Sequence, residues 1–591
     1  MKELEYPFDS SYILKKRKKL KRELLENGQT RIKKKIAVLG GATVDDIVSC
    51  LELFLLDNGI EPVFYKSEYN MYWEDAVFGG EIDEFEPDVV YIHTSIRNLR
   101  VTPAVTDSGE QVESKLRAEY ERFEQMWQKL YERFSCVIIQ DNFAMPYYRL
   151  LGNSDVYDIH GLTGFVGRFN EKIYSYARGR NDFFVLDINY LSACVGLDRW
   201  YDLTYWYLYK YAQSLQAIPA LAFEISKIIK AVFGKNKKCI ALDLDNTLWG
   251  GIVGDDGVEG IKIGHEDAQS ESYYEFQSYI KAHKDIGVIL SVCSKNEHEN
   301  AIAGLEHPEG VLRPDDFIVI KANWEPKSEN IKASAAQIGI LTDSFVFVDD
   351  NPAEREIVSK QTGAVAPDIG EAADYIRVLD RSGFFEVTRL SKDDLKRNEM
   401  YKANAKRNEL QSTFADYGEY LDSLEMTAVI RPFEKVFFER ISQLTNKSNQ
   451  FNLTTLRCSV SDIASFAQDE NYVTLYGSLK DKFGDNGVVS IVAGRKKGDE
   501  LDITLWLMSC RVLKRDMELA MLDSLVSAAK KKGIKTLRGL YIPTAKNKMV
   551  KDFYDGVLGF EKTRQDDDGQ AEYTLDIEEY ENKNIHIDVK E

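Results

Sequence analysis

From residue 36 onward the chain alternates short apolar blocks with stretches of helical spacing. Residues 36–39 are one such block, closed by Gly40-Gly41, and 46–56 then carries apolar positions on one helical face. Blocks at 88–92, 136–139 and 183–186 repeat the pattern around a long helical stretch at 113–134. Strands that alternate with helices predict a parallel sheet covered by helices over 36–232. After Gly234-Lys235-Asn236-Lys237-Lys238, a linker-like stretch, the rhythm restarts. Strands are expected at 239–242, 288–293, 317–320 and 345–348, with helices at 268–284 and 328–338. Residues 391–424 read as a charged connecting helix. The rest mixes strands (488–493, 501–508, 537–541) with helices (517–532, 548–557), α/β again with more antiparallel character. The expected divisions are 1–35, 36–232, 233–390, 391–425 and 426–591.

Length agrees with that division. At roughly 100–200 residues per domain, 591 residues predict about three to five domains. Hydrophobic residues make up 44% and charged residues 29%, enough apolar area to exclude wholesale disorder. The net charge of −20 argues against a generic nucleic-acid binder, and no nucleic-acid partner is expected. No apolar run approaches the roughly 18–20 residues of a membrane span, so no membrane partner is expected either. The first residues lack the layout of a secretory signal. Seven scattered cysteines without a CxxC fit a reducing, cytoplasmic setting.

Charge is uneven. Residues 1–35 hold twelve Lys/Arg against five Asp/Glu, a net +7, densest from Lys15 to Arg22. Leu14, Leu20, Leu24 and Leu25 interleave with the charges, which suits a helical arm. Such an arm either meets an acidic partner or docks on its own acidic chain.

The strongest chemical signal is the string 239–248, CIALDLDNTL. An apolar strand runs directly into Asp243 and Asp245, and the carboxyl ends of parallel strands are where sites are built. Unpaired burial of these acids is costly unless a cation answers them. Further on, a strand ends at Ser294-Lys295-Asn296, Lys327 opens a helix after Trp324-Glu325-Pro326, and a third strand ends in Asp349-Asp350. Together these supply what phosphoryl transfer requires: a carboxylate nucleophile, a second carboxylate for proton transfer, oxygen ligands for Mg²⁺, and a hydroxyl and an ammonium for phosphate oxygens. The stretch Trp249–Gly257 is expected to form a tight hairpin rather than a cap domain, which leaves the site open.

This ordered set resembles the haloacid dehalogenase (HAD) superfamily in its capless branch, whose first motif is DxDxT. The longer strings DLDNTLWGGIVGDDG, CSKN and FVDDNPAER look like the FkbH-like proteins of that superfamily. The resemblance implies a central Rossmann-like HAD domain and a Mg²⁺-dependent phosphatase or phosphotransferase. Its substrate would be a small phosphorylated metabolite, handled through an aspartyl-phosphate. It implies Asp243 as nucleophile and metal ligand, Asp245 as general acid/base and ligand through its carbonyl, and Thr247 as the residue that orients Asp245. Ser294, with Lys295 and Asn296 beside it, would bind the phosphate, Lys327 would bridge it to Asp243, and Asp349 and Asp350 would complete the metal site. Studied relatives load a glyceryl group from 1,3-bisphosphoglycerate onto an acyl carrier protein through a thioester. That makes Cys293 a thioester position, activated by Lys295 or Lys327, or else a small buried strand residue. A non-catalytic interaction protein is the third reading.

The flanking domains resemble other families. Residues 36–232 are similar to SGNH hydrolases of flavodoxin-like build, but Gly40-Gly41-Ala42-Thr43 stands where their GDS motif would be. A docking or substrate-covering module is expected. Residues 426–591 resemble GNAT acyltransferases, yet Arg511-Val512-Leu513-Lys514-Arg515-Asp516 lacks the glycines of their pyrophosphate loop. Lys514 and Arg515 are left as contacts for a phosphopantetheine arm or an acidic carrier.

Overall fold

The structure, a computed structural model, describes residues 1–590 other than 391, 412, 449, 510, 511 and 545. Arg511, singled out above, and Cys510, one of the seven cysteines, therefore lie outside the described residues. The chain folds into two compact units, Met1–Lys235 with Glu386–Arg389, and Asn236–Phe385 with Leu390–Glu591. The division falls at the predicted linker. Glu386–Arg389, placed by the sequence pattern at the end of the second domain, belong instead to the first unit.

The first unit is built on five parallel strands in the order β2-β1-β3-β4-β5: β1 Ile32–Gly40, β2 Ile60–Lys66, β3 Val89–His93, β4 Val137–Asp141 and β5 Phe183–Leu186. Side chains alternate across it. Ile36, Val38, Tyr91 and Ile139 pack on one face against helices Asp45–Asp57 and Ile218–Val232. Ala37, Leu39, Val90 and Ile138 pack on the other against Gly109–Arg133 and Leu162–Arg178. The basic segment is part of this core rather than a free arm. Its helix Ser10–Glu26 is capped by Asp9 and buries Ile13, Leu20 and Leu24, and residues 32–35 already belong to β1. Arg17 pairs with Asp46 and Lys21 with Glu52, so acids of the same unit answer part of the charge.

The second unit begins with four parallel strands in the order β8-β7-β6-β9: β6 Cys239–Leu242, β7 Ile289–Ser294, β8 Val319–Ala322 and β9 Phe345–Val348. β6 lies between β7 and β9, with Leu242 level with both Val292 and Val348. An eight-stranded mixed sheet follows, in the order β15-β16-β14-β13-β12-β11-β10-β17. Its strands are β10 Met426–Arg431, β11 Tyr472–Asp481, β12 Gly484–Lys497, β13 Glu500–Met508, β14 Thr536–Tyr541, β15 Glu561–Gln565, β16 Ala571–Asp576 and β17 Ile587–Lys590. The helix Met517–Lys531 packs on it.

The expected connector is three helices, Lys392–Leu395, Arg397–Gln411 and Tyr417–Ser423, the last started by Asp416. Residues 548–557 form two irregular single turns rather than one α-helix. Arg515 is not available to a carrier. It is 6% exposed and bonds Asp481 and Asn404. No disulfide joins the six described cysteines. No helix among the described residues is long and apolar enough to cross a membrane.

Candidate active site

The strand ends bring the sequence-distant acids together. The Asp243 N–H donates to the Val348 carbonyl at 2.9 Å, which carries the β6–β9 ladder one residue past the end of β6. Asp243 and Asp349 thus emerge side by side, 7% and 0% exposed. Lys327, first residue of the helix Lys327–Ile338, reaches between them. Its Nζ lies 2.7 Å from Asp243 Oδ2 and 2.6 Å from Asp349 Oδ2. Asp350 adds a third, exposed carboxylate, and one oxygen from each of the three lies within 4.8 Å of the others.

Three carboxylates against one ammonium leave a local charge of about −2. Burial, reinforced by Asp243, pushes the Asp349 carboxyl up to about 6, and burial raises Asp350 as well. Lys327 is held firmly protonated, its two carboxylate neighbours outweighing its own burial. A buried cluster of hard oxygen donors with excess negative charge fits Mg²⁺, which prefers such ligands.

Asp245 is held apart from this set. Its Oδ1 accepts the Trp249 indole N–H at 2.9 Å and the Val253 N–H at 3.0 Å, and its Oδ2 accepts the Asn296 amide at 2.9 Å. Burial raises its affinity for a proton against the pull of these donors. Asn246, directly after Asp245, sits in the left-handed region (φ 53°). Its side chain accepts the Gly251 N–H, and its carbonyl accepts the Tyr375 hydroxyl at 2.9 Å. The stretch after the acids is not a tight hairpin. A single bridge between Gly250 and Lys262 closes a loop that contains the helical turn Val253–Asp256. Among the described residues no further sheet is inserted after β6 or β7.

Four expected roles change. Thr247 is fully buried, and its hydroxyl accepts the Asp350 N–H at 3.2 Å, so it ties the two acid loops together rather than orienting Asp245 or facing substrate. Asn296 holds Asp245 and does not stand free for phosphate. Lys295 is engaged by Glu354 at 2.6 Å rather than standing free for phosphate. Cys293 points to the opposite face from Ser294, into a core with Ile331, Ala335 and Phe347. It is 0% exposed, its thiol lies 3.5 Å from the Lys327 carbonyl, and burial pushes its pKa up, the reverse of what a nucleophilic thiolate needs. Ser294 lies where expected, buried at the end of β7, and its carbonyl accepts the Asn323 N–H.

Several contributors carried no separate signal in the residue pattern. Trp249 and Val253 hold Asp245. Arg355 donates to the carbonyls of Asp349 and Asp350 at 2.9 and 2.8 Å and so fixes the β9 loop. Both Trp249 and Arg355 lie inside the extended motif strings, which was the available clue.

Residues 35–230 match the FkbH N-terminal domain family. Among curated proteins no relative matches the chain. Among solved structures, the N-terminal part of the protein BF1531 from Bacteroides fragilis contains a phosphatase domain and is complexed with Mg. It is 29% identical, the match covers 63% of this chain and 99% of that one, and the TM-score is 0.58. The ribosomal-protein-S18-alanine N-acetyltransferase from Escherichia coli is 17% identical, with 27% of this chain and 99% of that one covered and a TM-score of 0.21. The GNAT domain of S. lividans PAT is 20% identical, with 25% and 89% covered and a TM-score of 0.20. Residues 35–230 thus carry an FkbH N-terminal domain, and over 63% of its length the chain is similar to a solved structure that contains a phosphatase domain complexed with Mg.

Proposed function

We propose that the chain is a Mg²⁺-dependent phosphatase or phosphotransferase acting on a small phosphorylated metabolite. The observation that carries this reading is the convergence of Asp243, Asp349 and Asp350 around Lys327 at the carboxyl ends of β6 and β9. When bound, Mg²⁺ would be held by those three carboxylates and would neutralise phosphate oxygens.

The chain's own residues account for the rest. An Asp243 oxygen attacks phosphorus as the bond to the leaving oxygen breaks, and the phosphoryl group passes to the carboxylate. Lys327 aims Asp243 through their 2.7 Å contact and balances charge on the transferred group. Asp245, whose burial favours a held proton, protonates the leaving oxygen. It then takes a proton from the water, or from the acceptor hydroxyl, that attacks the aspartyl-phosphate and restores Asp243. Asn296 and Trp249 position Asp245 and do not touch the phosphate. Ser294 lies at the strand end beside the attacking group, where its hydroxyl would hold a phosphate oxygen.

Acyl loading through Cys293 finds no support in this geometry, because the thiol is buried on the far face of β7. The test is phosphate release from a panel of phosphorylated metabolites with Mg²⁺. Asp243→Asn is expected to lower the rate by on the order of 10³-fold or more while the circular dichroism spectrum is unchanged. EDTA should act alike. An Asp243→Asn variant as active as the wild type overturns the assignment.

A further inference from the structure

Asp245 owes its position to a turn that begins with the next residue. Asn246 lies in the left-handed region, which asparagine tolerates better than most side chains and which reverses the chain sharply. The reversal brings Trp249 back beside Asp245 in an isolated bridge. Trp249 and Val253, on the returning limb, are the residues of the loop that donate to the Asp245 carboxylate. The Asn246 side chain accepts the Gly251 N–H at 3.0 Å and closes the same turn from within.

The turn is also gripped from outside the motif, at a single atom. The Asn246 carbonyl accepts the Tyr375 hydroxyl at 2.9 Å and, as the longer and weaker of two contacts, the Tyr273 hydroxyl at 3.4 Å. The two rings come from different helices, Tyr375–Arg381 and Ala268–Asp285, 129 and 27 positions beyond Asn246. Both are buried, and Phe276 packs edge-on against Tyr375 with ring centroids 5.2 Å apart. They belong to the same core as Ile240 and Leu242 of β6, so the grip is made from rigid ground. Burial pushes both phenol pKa values up, which keeps each hydroxyl a donor.

We propose that Tyr375 is a positioning residue for the general acid: by anchoring the Asn246 carbonyl it keeps the returning limb, with Trp249 and Val253, against Asp245. This rests on the phosphoryl-transfer reading, in which Asp245 protonates the leaving oxygen. Tyr375 acts through the backbone alone. Without its hydroxyl the turn keeps only the Tyr273 contact and the Asn246–Gly251 closure, so the limb loosens and the Asp245 carboxyl drifts from the leaving oxygen. Asp243 is held separately, by the β6–β9 ladder and by Lys327, and keeps its place. That asymmetry leaves a signature. Loss of a general acid matters for a leaving group that must depart with a proton, as an alkoxide must, and matters little for a nitrophenolate, which departs as a stable anion.

The experiment compares kcat/KM for glycerol 3-phosphate and p-nitrophenyl phosphate, with Mg²⁺, in the full-length wild type, Asp245→Asn and Tyr375→Phe. The ratio of the two values does not depend on how much of a sample is folded, so a merely structural role would not move it. Asp245→Asn is expected to lower the glycerol phosphate value by on the order of 10²-fold or more and the nitrophenyl value far less. Tyr375→Phe should reproduce that split at about tenfold, and Tyr273→Phe at less. If Tyr375→Phe lowers both values equally, or neither, the proposal is overturned and the general acid stands. If Asp245→Asn shows no split, the general acid falls and the positioning role with it. Hydrogen exchange supplies a check that needs no substrate. The amides of residues 249–256, those of Gly251 and Val253 among them, should exchange about tenfold faster in Tyr375→Phe, as expected from one lost hydrogen bond, while those of β7 keep the wild-type rate. Unchanged exchange over 249–256 overturns the proposal as well.

Discussion

Glu518 shows how burial can override a favourable local position. It is the second residue of the helix Met517–Lys531, where the helix dipole ordinarily stabilises a carboxylate. Yet one of its oxygens is buried without a partner, and burial pushes its pKa from 4.5 up to about 7. A carboxyl with a raised folded-state pKa binds its proton more tightly folded than unfolded. Its contribution is therefore full below pH 4.5 and is lost as pH rises through 7. The loss is on the order of 3 kcal/mol. Denaturant midpoints measured from pH 4 to 8 should fall across that window in the wild type and fall less in Glu518→Gln. A slope unaltered by the substitution would show that Glu518 titrates normally. The absolute stability of the variant is a poorer readout, because the new amide also lacks a partner. Burial of this kind was not visible in the chain, whereas the motif acids were, because an apolar strand that runs straight into acids places them where burial demands a partner. The role of Cys293 was half legible. Strand alternation alone places it on the face opposite Ser294.

Among the elements, the helix Arg397–Gln411 is tied to the eight-stranded sheet by a buried ionic joint. Arg407 makes two bonds to Asp481 at 2.8 and 2.7 Å, Arg515 adds a third at 3.1 Å, and both guanidiniums donate to the Asn404 side-chain Oδ1. All four side chains are nearly or fully buried. Removing the shared anion leaves two guanidiniums facing each other in a dry site. Asp481→Asn should therefore destabilise the second unit by roughly 3–5 kcal/mol, whereas an exposed pair such as Lys332–Glu329 should cost under about 1 kcal/mol when broken. Equal midpoints for Asp481→Asn and the wild type would show that the joint contributes nothing. This joint also explains why the connector was misjudged. Its charges read only as a charged connecting helix, and the partners that bury Arg407 come from residues 74 and 108 positions later. β2 escaped notice for a different reason: Pro62 and partly exposed positions break its apolar pattern, as an edge strand permits.

For the whole molecule, the linker near residue 235 was legible because it lacks apolar spacing. The return of Glu386–Arg389 to the first unit was not, because nothing local distinguishes a short crossing segment from the domain it leaves. That division makes a thermodynamic test of the metal site possible without any substrate. The three converging carboxylates lie wholly in the second unit. A cation that binds only the folded state stabilises only the unit that holds it, by about 1.4 kcal/mol at ten times its dissociation constant. Scanning calorimetry of the intact chain should show two transitions, and Mg²⁺ should raise one by a few degrees while the other stays put. Asp349→Asn should abolish the shift and leave both transitions in place, because it also removes an excess buried charge. If neither transition moves with Mg²⁺, the carboxylates hold no cation and the proposed chemistry fails with them. If both move together, the two units unfold as one, and the compact division seen in the fold is not a division in stability.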